Sequence, residues 1–272
     1  MPRNHSRHMT VVLHTHLPFR AWEDPVLSRL PGTQPLTGPW IIRDEAFTGQ
    51  MAERDRLMAK RRSDVVVEDA SAHPAALELL DHVLAELAQD PAYQVGADVL
   101  RPDGAPVRVD RTDPMGTLAR LVQEDLCILE KHGDEHVLTA ATLLFPSSWT
   151  LSEKFMRPLM AIHEPVALYD QNIGRRVQRM FDTLRVEQPI WRANWLTYQR
   201  PDLYHPRVGF EARPRPALGT GYLRSERQTI FRLPQTNAMV FSIHIYLLAV
   251  ADLDDETRAS LRRAEERRQQ TP

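Results

Sequence analysis

The hydrophobic positions of this chain change period several times, and each change marks an element. Between Asn237 and Ala249 the period is two, with Met239, Phe241, Ile243, Ile245 and Leu247 on one side. Tyr222 to Leu233 alternates as well, and Pro234-Gln235-Thr236 separates the two runs, which predicts an antiparallel hairpin. Pro189 to Tyr198 sets Ile190, Arg192 and Asn194 against Trp191, Ala193 and Trp195, a further strand. His136 to Phe145 reads as another, Val65-Val66-Val67 as a short one, and Val107 with Val109 as at most a fragment.

Helical spacing predicts five further elements. Phe47, Met51, Leu57 and Met58 form a partial stripe between Asp44 and Arg61, and Leu77, Leu80, Val83, Leu84 and Leu87 a fuller one between Pro74 and Gln89. Leu118, Leu121, Val122, Leu126 and Leu129 predict a helix from Gly116 to Lys131, with Gln123, Glu124 and Asp125 as its solvated face and Cys127 in its core. Ile173, Val177, Phe181 and Leu184 stripe a helix whose Arg175, Arg176 and Arg179 face elsewhere, either solvated or facing an acidic redox partner. From Asp252 onward, acidic residues followed by arginines suit a C-terminal helix. The stretch from Tyr93 to Pro114 is loop-like, and the arm up to Pro39 carries prolines at 18, 25, 31, 35 and 39. The sequence therefore divides into an arm and helical extension over residues 1–110, a core over 111–251, and a helix and tail over 252–272.

Leu143 to Val166 organises this pattern. It begins as an apolar run, stops at Pro146, offers Ser147, Ser148 and Trp149, and continues with Leu151, Phe155, Leu159 and Ile162 at helical spacing around Pro158. It closes on His163, two residues before Pro165. A histidine at such a boundary either bonds a nearby carbonyl or is held as a metal ligand. His14-Thr15-His16 has the spacing of two ligands on one strand face, but with no third ligand in register it reads as surface or packing.

Composition narrows the chemistry. With 272 residues, 42% of them hydrophobic, the chain can bury a sizeable core, and a net charge of −2 gives no electrostatic footprint for nucleic acid. The single cysteine, Cys127, allows neither an internal disulfide nor an iron–sulfur cluster held by this chain alone, and no glycine-rich dinucleotide fingerprint is present. The longest apolar run, Ala238 to Ala251, would span about 21 Å as a helix against a bilayer core of about 30 Å. A cytoplasmic protein is expected.

Five segments carry a resemblance: Phe145-Pro146-Ser147-Ser148-Trp149, Glu153-Lys154-Phe155, Ile162 to Val166, Trp191-Arg192-Ala193-Asn194-Trp195, and Leu223 to Pro234. In this order, with Leu121 to Leu126 upstream, they resemble the haem-dependent oxidative N-demethylase family, over about residues 40–246. Ala167, where a second proline is common, and the region from Trp22 to Thr37 depart from it. The resemblance implies an α+β fold: a PAS-like five-stranded antiparallel sheet with flanking helices and an N-terminal extension. It also implies haem b with His163 as the axial iron ligand, and suggests that one of Gln123, Glu124 and Asp125 structures the cofactor pocket.

The row Arg224, Glu226, Gln228 lies on one face of its strand, either as a solvated outer face of paired charges or as a site. As a site, Arg224 and Glu226 are the catalytic candidates: arginine binds a propionate or polarises oxygen, and glutamate handles a proton or holds a cationic amine. Trp195 and Arg227 are the candidate cofactor-binding residues beside His163, Trp195 as the apolar wall. The implied reaction is oxidative N-demethylation of a small methylated amine with O2, releasing formaldehyde. Its electrons would come from NADPH through FMN and an iron–sulfur cluster on a separate reductase subunit. The alternatives are a haem-binding PAS-like sensor or carrier without catalysis, and a cofactor-free scaffold.

Overall fold

The computed structural model describes residues 12–163, 171–208 and 214–270, with the side chains of 163, 171 and 172 outside that description. The first half comprises β1 (Gln34–Pro35), α1 (Phe47–Val65), β2 (Val66–Glu68), α2 (His73–Leu87), the short strands β3 (Gln94–Val95), β4 (Asp98–Leu100) and β5 (Pro106–Arg108), and α3 (Pro114–Leu118). The second comprises β6 (Asp125–His132), β7 (Glu135–Thr142), α4 (Leu159–His163), α5 (Gln171–Thr183), β8 (Ile190–Tyr198), β9 (Tyr222–Arg232), β10 (Met239–Ala249) and α6 (Asp255–Gln270).

One antiparallel sheet of seven strands, in the order β1-β8-β9-β10-β6-β7-β2, carries the fold. It replaces the expected five-stranded sheet: five long strands form its middle, and the two- and three-residue strands β1 and β2 extend it at either edge. The predicted hairpin is β9–β10, paired without a break from Arg232–Met239 to Tyr222–Ala249. Its turn closes with Asn237 in the left-handed region at φ 60°. The carboxylate of Glu78 on α2 accepts Gln235 N–H at 2.6 Å and Thr236 N–H at 2.8 Å, so a helix holds the turn from outside.

The two sides of the sheet are covered differently. Over β6, β7 and β10, α1, α2 and α3 supply Phe47, Met51, Leu57, Leu79, Leu80, Val83, Met115 and Leu118 to one continuous apolar core. A second cluster joins Trp22 and Leu27 of the arm to Trp195, Leu223, Leu261 and Ala264, bringing α6 onto the β8–β9 end. Asp254 caps α6 by accepting Thr257 N–H at 2.7 Å. The opposite side is covered by the β7-to-β8 connection: the guanidinium of Arg232 on β9 donates to the carbonyls of Phe181 and Leu184 at the end of α5.

The helix predicted from Gly116 to Lys131 is the main correction. Only Pro114–Leu118 is helical, and Asp125–His132 is β6, paired on both edges. Residues 121–129 are all buried, and a strand covered on both faces shows no alternation to set against a helical stripe. Cys127 therefore lies on a strand opposite Phe241 and Ala141, and Gln123, Glu124 and Asp125 are buried rather than solvated. Tyr93 to Pro114, read as a loop, contains the small sheet β3-β4-β5. Leu151 to Phe155 is a series of turns, and α4 is only five residues long. Among the described residues no helix is long and apolar enough to cross a membrane.

Candidate functional site

Alternation along β9 decides which candidates meet. Arg224, Glu226 and Gln228 point to the face covered by the β7-to-β8 connection, and their β8 partners there are Leu196, Asn194 and Arg192. Arg224 and Glu226 are 1% and 5% exposed, which excludes the solvated-face reading of the row. Glu226 Oε2 accepts Gln228 Nε2–H at 2.8 Å, Gln228 Oε1 accepts from Arg192 at 2.9 Å, and Arg224 Nε stands 3.6 Å from Glu226 Oε1. The result is a carboxylate held between one guanidinium and an amide, with a second guanidinium bonded to the far end of that amide, largely out of water.

Trp195 and Arg227 have the other parity and lie on the opposite face, paired with Ser225 and Ala193. The sheet separates them from Arg224 and Glu226, so the four do not line one pocket. Trp195 packs edge-on against Trp22 and under the guanidinium of Arg268, 3.7 Å from its ring centroid, while Arg227 lies over Trp191 and donates to Pro39 O at 3.2 Å. His163 ends α4, which packs on β7; its side chain is outside the described residues.

The segment leading to His163 is fixed at its start by a buried clamp. The carboxylate of Asp125 accepts Leu144 N–H at 2.9 Å and Phe145 N–H at 2.8 Å, and Arg224 donates to Phe145 O and, at 2.9 Å, to Leu203 O. Arg224 thus ties the loop after β7 to the loop after β8, and its Nε is left buried without a hydrogen bond. The same two loops meet where Ser147 bridges His205 and where Ser147 and Ser148 share the Tyr198 hydroxyl, at 2.8 and 3.1 Å. His205 Nδ1 is also buried without a hydrogen-bond partner, and burial lowers its pKa, keeping the ring neutral near pH 7.

Behind the clamp, Arg54 of α1 is wholly buried. It donates to Asp125 Oδ1 at 2.8 Å and to the carbonyls of Ala119, Gln123 and Glu124 at 2.9, 3.0 and 2.9 Å. These carbonyls lie between α3 and β6, so one side chain satisfies the turn that stands in the middle of the predicted helix.

A second polar group lies on the far face of β10. His244 bonds Glu124 Oε1 through Nδ1 at 3.0 Å and Asp44 Oδ2 through Nε2 at 2.9 Å, and His14 Nε2 bonds the same Asp44 oxygen at 2.7 Å. His14, Asp44 and His244 are close enough to share a metal ion. Leu247 N–H donates to His14 Nδ1 at 3.1 Å, so Nε2 is the ring nitrogen that meets Asp44. Burial disfavours a charged His244, but the hydrogen bonds and charges of Asp44 and Glu124 outweigh it and push its pKa up to about 9. Burial also opposes ionisation of Asp44, yet bonds from both histidines hold it well below the usual carboxylate range. His244 is thus an imidazolium between two carboxylates. His14 is buried and meets a carboxylate and a second histidine that its local spacing did not show, while His16 is exposed.

Sequence reasoning assigned no functional role to Arg54, Asp44, Lys154, Tyr198 or His205. For Arg54 a signal exists: Phe47, Gln50, Met51, Arg54 and Leu57 are all buried at spacings of three and four, so polar residues fill stripe positions. Asp44 is joined to His14 and His244 across 30 and 200 positions, for which no local pattern exists.

Fold and site together define a mixed α/β protein with a buried carboxylate–guanidinium row on one face of its seven-stranded antiparallel sheet. The chain belongs to the family described as "Haem-dependent oxidative N-demethylase, alpha subunit-like", whose model matches residues 32–268.

Proposed function

We propose that this chain is the haem b subunit of an oxidative N-demethylase acting on a small methylated amine. The family match over most of the chain carries the reading. The strand order supports its PAS-like part: numbered by chain order, the five long strands run 3-4-5-1-2 across the sheet, with the longest connection laid over one face. The donor set on that face also fits haem, because Arg224 Nε and His205 Nδ1 are buried polar atoms without hydrogen bonds there, beside the segment that ends at His163. His163 would ligate the iron, and Trp195 and Arg227, on the other face, are given no part.

Haem, when bound, supplies the iron at which O2 is reduced while the N-methyl carbon is oxidised. The balance is one amine, one O2, two electrons and two protons giving the demethylated amine, formaldehyde and water. Glu226 holds the cationic amine or moves its proton, Gln228 and Arg192 fix the carboxylate, and Arg224 maintains the loop frame around it. The electrons are assigned to a separate NADPH-linked reductase subunit carrying FMN and an iron–sulfur cluster. Both the subunit wording of the family description and the single cysteine support that division. A cytoplasmic setting belongs to the same reading.

Glu226→Gln, loaded with haem and supplied with a reductase, is expected to lose about 10²-fold or more of amine-dependent O2 consumption, with an unaltered haem spectrum. Wild-type protein that binds haem yet consumes no O2 with any small methylated amine would favour the sensor or carrier reading instead.

A further inference from the structure

Between Trp149 and α4 a lysine is folded back on the peptide that precedes His163. Lys154 Nζ donates to Ile162 O at 2.9 Å and lies 4.8 Å from the Trp149 ring centroid. Ile162 C=O and His163 N belong to one planar amide, so a bond to that oxygen fixes the plane from which His163 departs. A five-residue helix leaves its last carbonyls unpaired within itself, and Lys154 satisfies one of them.

The anchor is itself held. Lys154 N–H donates to Leu151 O at 3.0 Å, Met156 N–H to Leu138 O at 2.9 Å, and Leu138 N–H to Arg157 O at 3.2 Å, so the turn around Lys154 is closed on itself and its exit is bonded to both the N–H and the C=O of Leu138 on β7. Met156 takes φ 57°, a left-handed conformation that a methionine seldom adopts and that the flanking bonds hold in place. Burial pushes the ammonium down to about 8, leaving it mostly protonated at pH 7.

We infer that Lys154 is a positioning residue: its ammonium sets the Ile162–His163 peptide, and through it the orientation and charge environment of the residue proposed above as the iron ligand. The inference rests on that proposal for its iron-related part and on the hydrogen bonds alone for the rest.

Lys154→Met and Lys154→Arg separate the two parts. In haem-free protein, hydrogen exchange over residues 157–163 is expected to be about tenfold faster in Lys154→Met, the scale for losing a hydrogen bond to a charged group, and near wild type in Lys154→Arg. In haem-loaded protein, the midpoint potential of Lys154→Met is expected to fall, because a nearby cation favours the reduced iron, and Lys154→Arg is expected to restore it. Should Lys154→Met fail to fold, Lys154→Gln gives the same comparison. Unchanged exchange in a folded charge-deletion variant would overturn the positioning role. Faster exchange with an unchanged potential would overturn the link to iron. Wild-type protein that takes up no haem would sink the proposed function and leave the exchange result to decide the positioning of α4.

Discussion

Arg54→Ala is expected to destabilise the protein by about 3–5 kcal/mol, the cost of leaving a buried charge without its partner. Arg54 and Asp125 are both fully buried and 2.8 Å apart. Removing the guanidinium strands the Asp125 carboxylate and three backbone carbonyls at once. The effect should reach the far side of the clamp, because the same carboxylate holds Leu144 and Phe145 N–H at the start of the segment leading to His163. Urea unfolding of Arg54→Ala, Asp125→Asn and the double variant forms a cycle, in which the double should cost less than the two singles added together. Strict additivity would mean that the pair acts independently.

Stability is expected to fall as the pH rises from about 6.5 to about 9. His244 has its folded pKa raised to about 9 from the ordinary 6.5. Its contribution is therefore fully present below 6.5 and is lost as the pH passes through 9, amounting to about 3 kcal/mol at most. Lys154 works in the opposite sense above pH 8, since its folded pKa is depressed and the unfolded chain binds the extra proton there. Subtracting the profile of His244→Gln from that of wild type isolates the imidazolium. Urea unfolding at pH 6.5 and 9.5 measures both profiles, and a difference that stays flat across the window would contradict a charged His244.

What the sequence made legible follows from where periodicity survives. The β9–β10 hairpin and β8 each kept a period of two, α2 and α5 kept their stripes, and proline or glycine marked several of the ends. The segment 121–129 kept neither period, because it is covered on every side, and β6 was read as helix. The row Arg224, Glu226, Gln228 could be placed on one face by counting, and the same parity separates it from Trp195 and Arg227. Its burial could not be counted: the cover comes from backbone carbonyls of Phe145 and Leu203, 79 and 21 positions away, which no residue type announces. The left-handed conformations of Ser148 and Met156 are likewise invisible in side chains that do not favour them.

The proposed function requires this chain to hold haem through the segment ending at His163. An absorption spectrum of the protein produced with haem available, for wild type and for His163→Ala, tests it most directly. A Soret band is expected in wild type, lost or shifted in the variant. A folded wild-type protein without haem, or a band unchanged by His163→Ala, would contradict it.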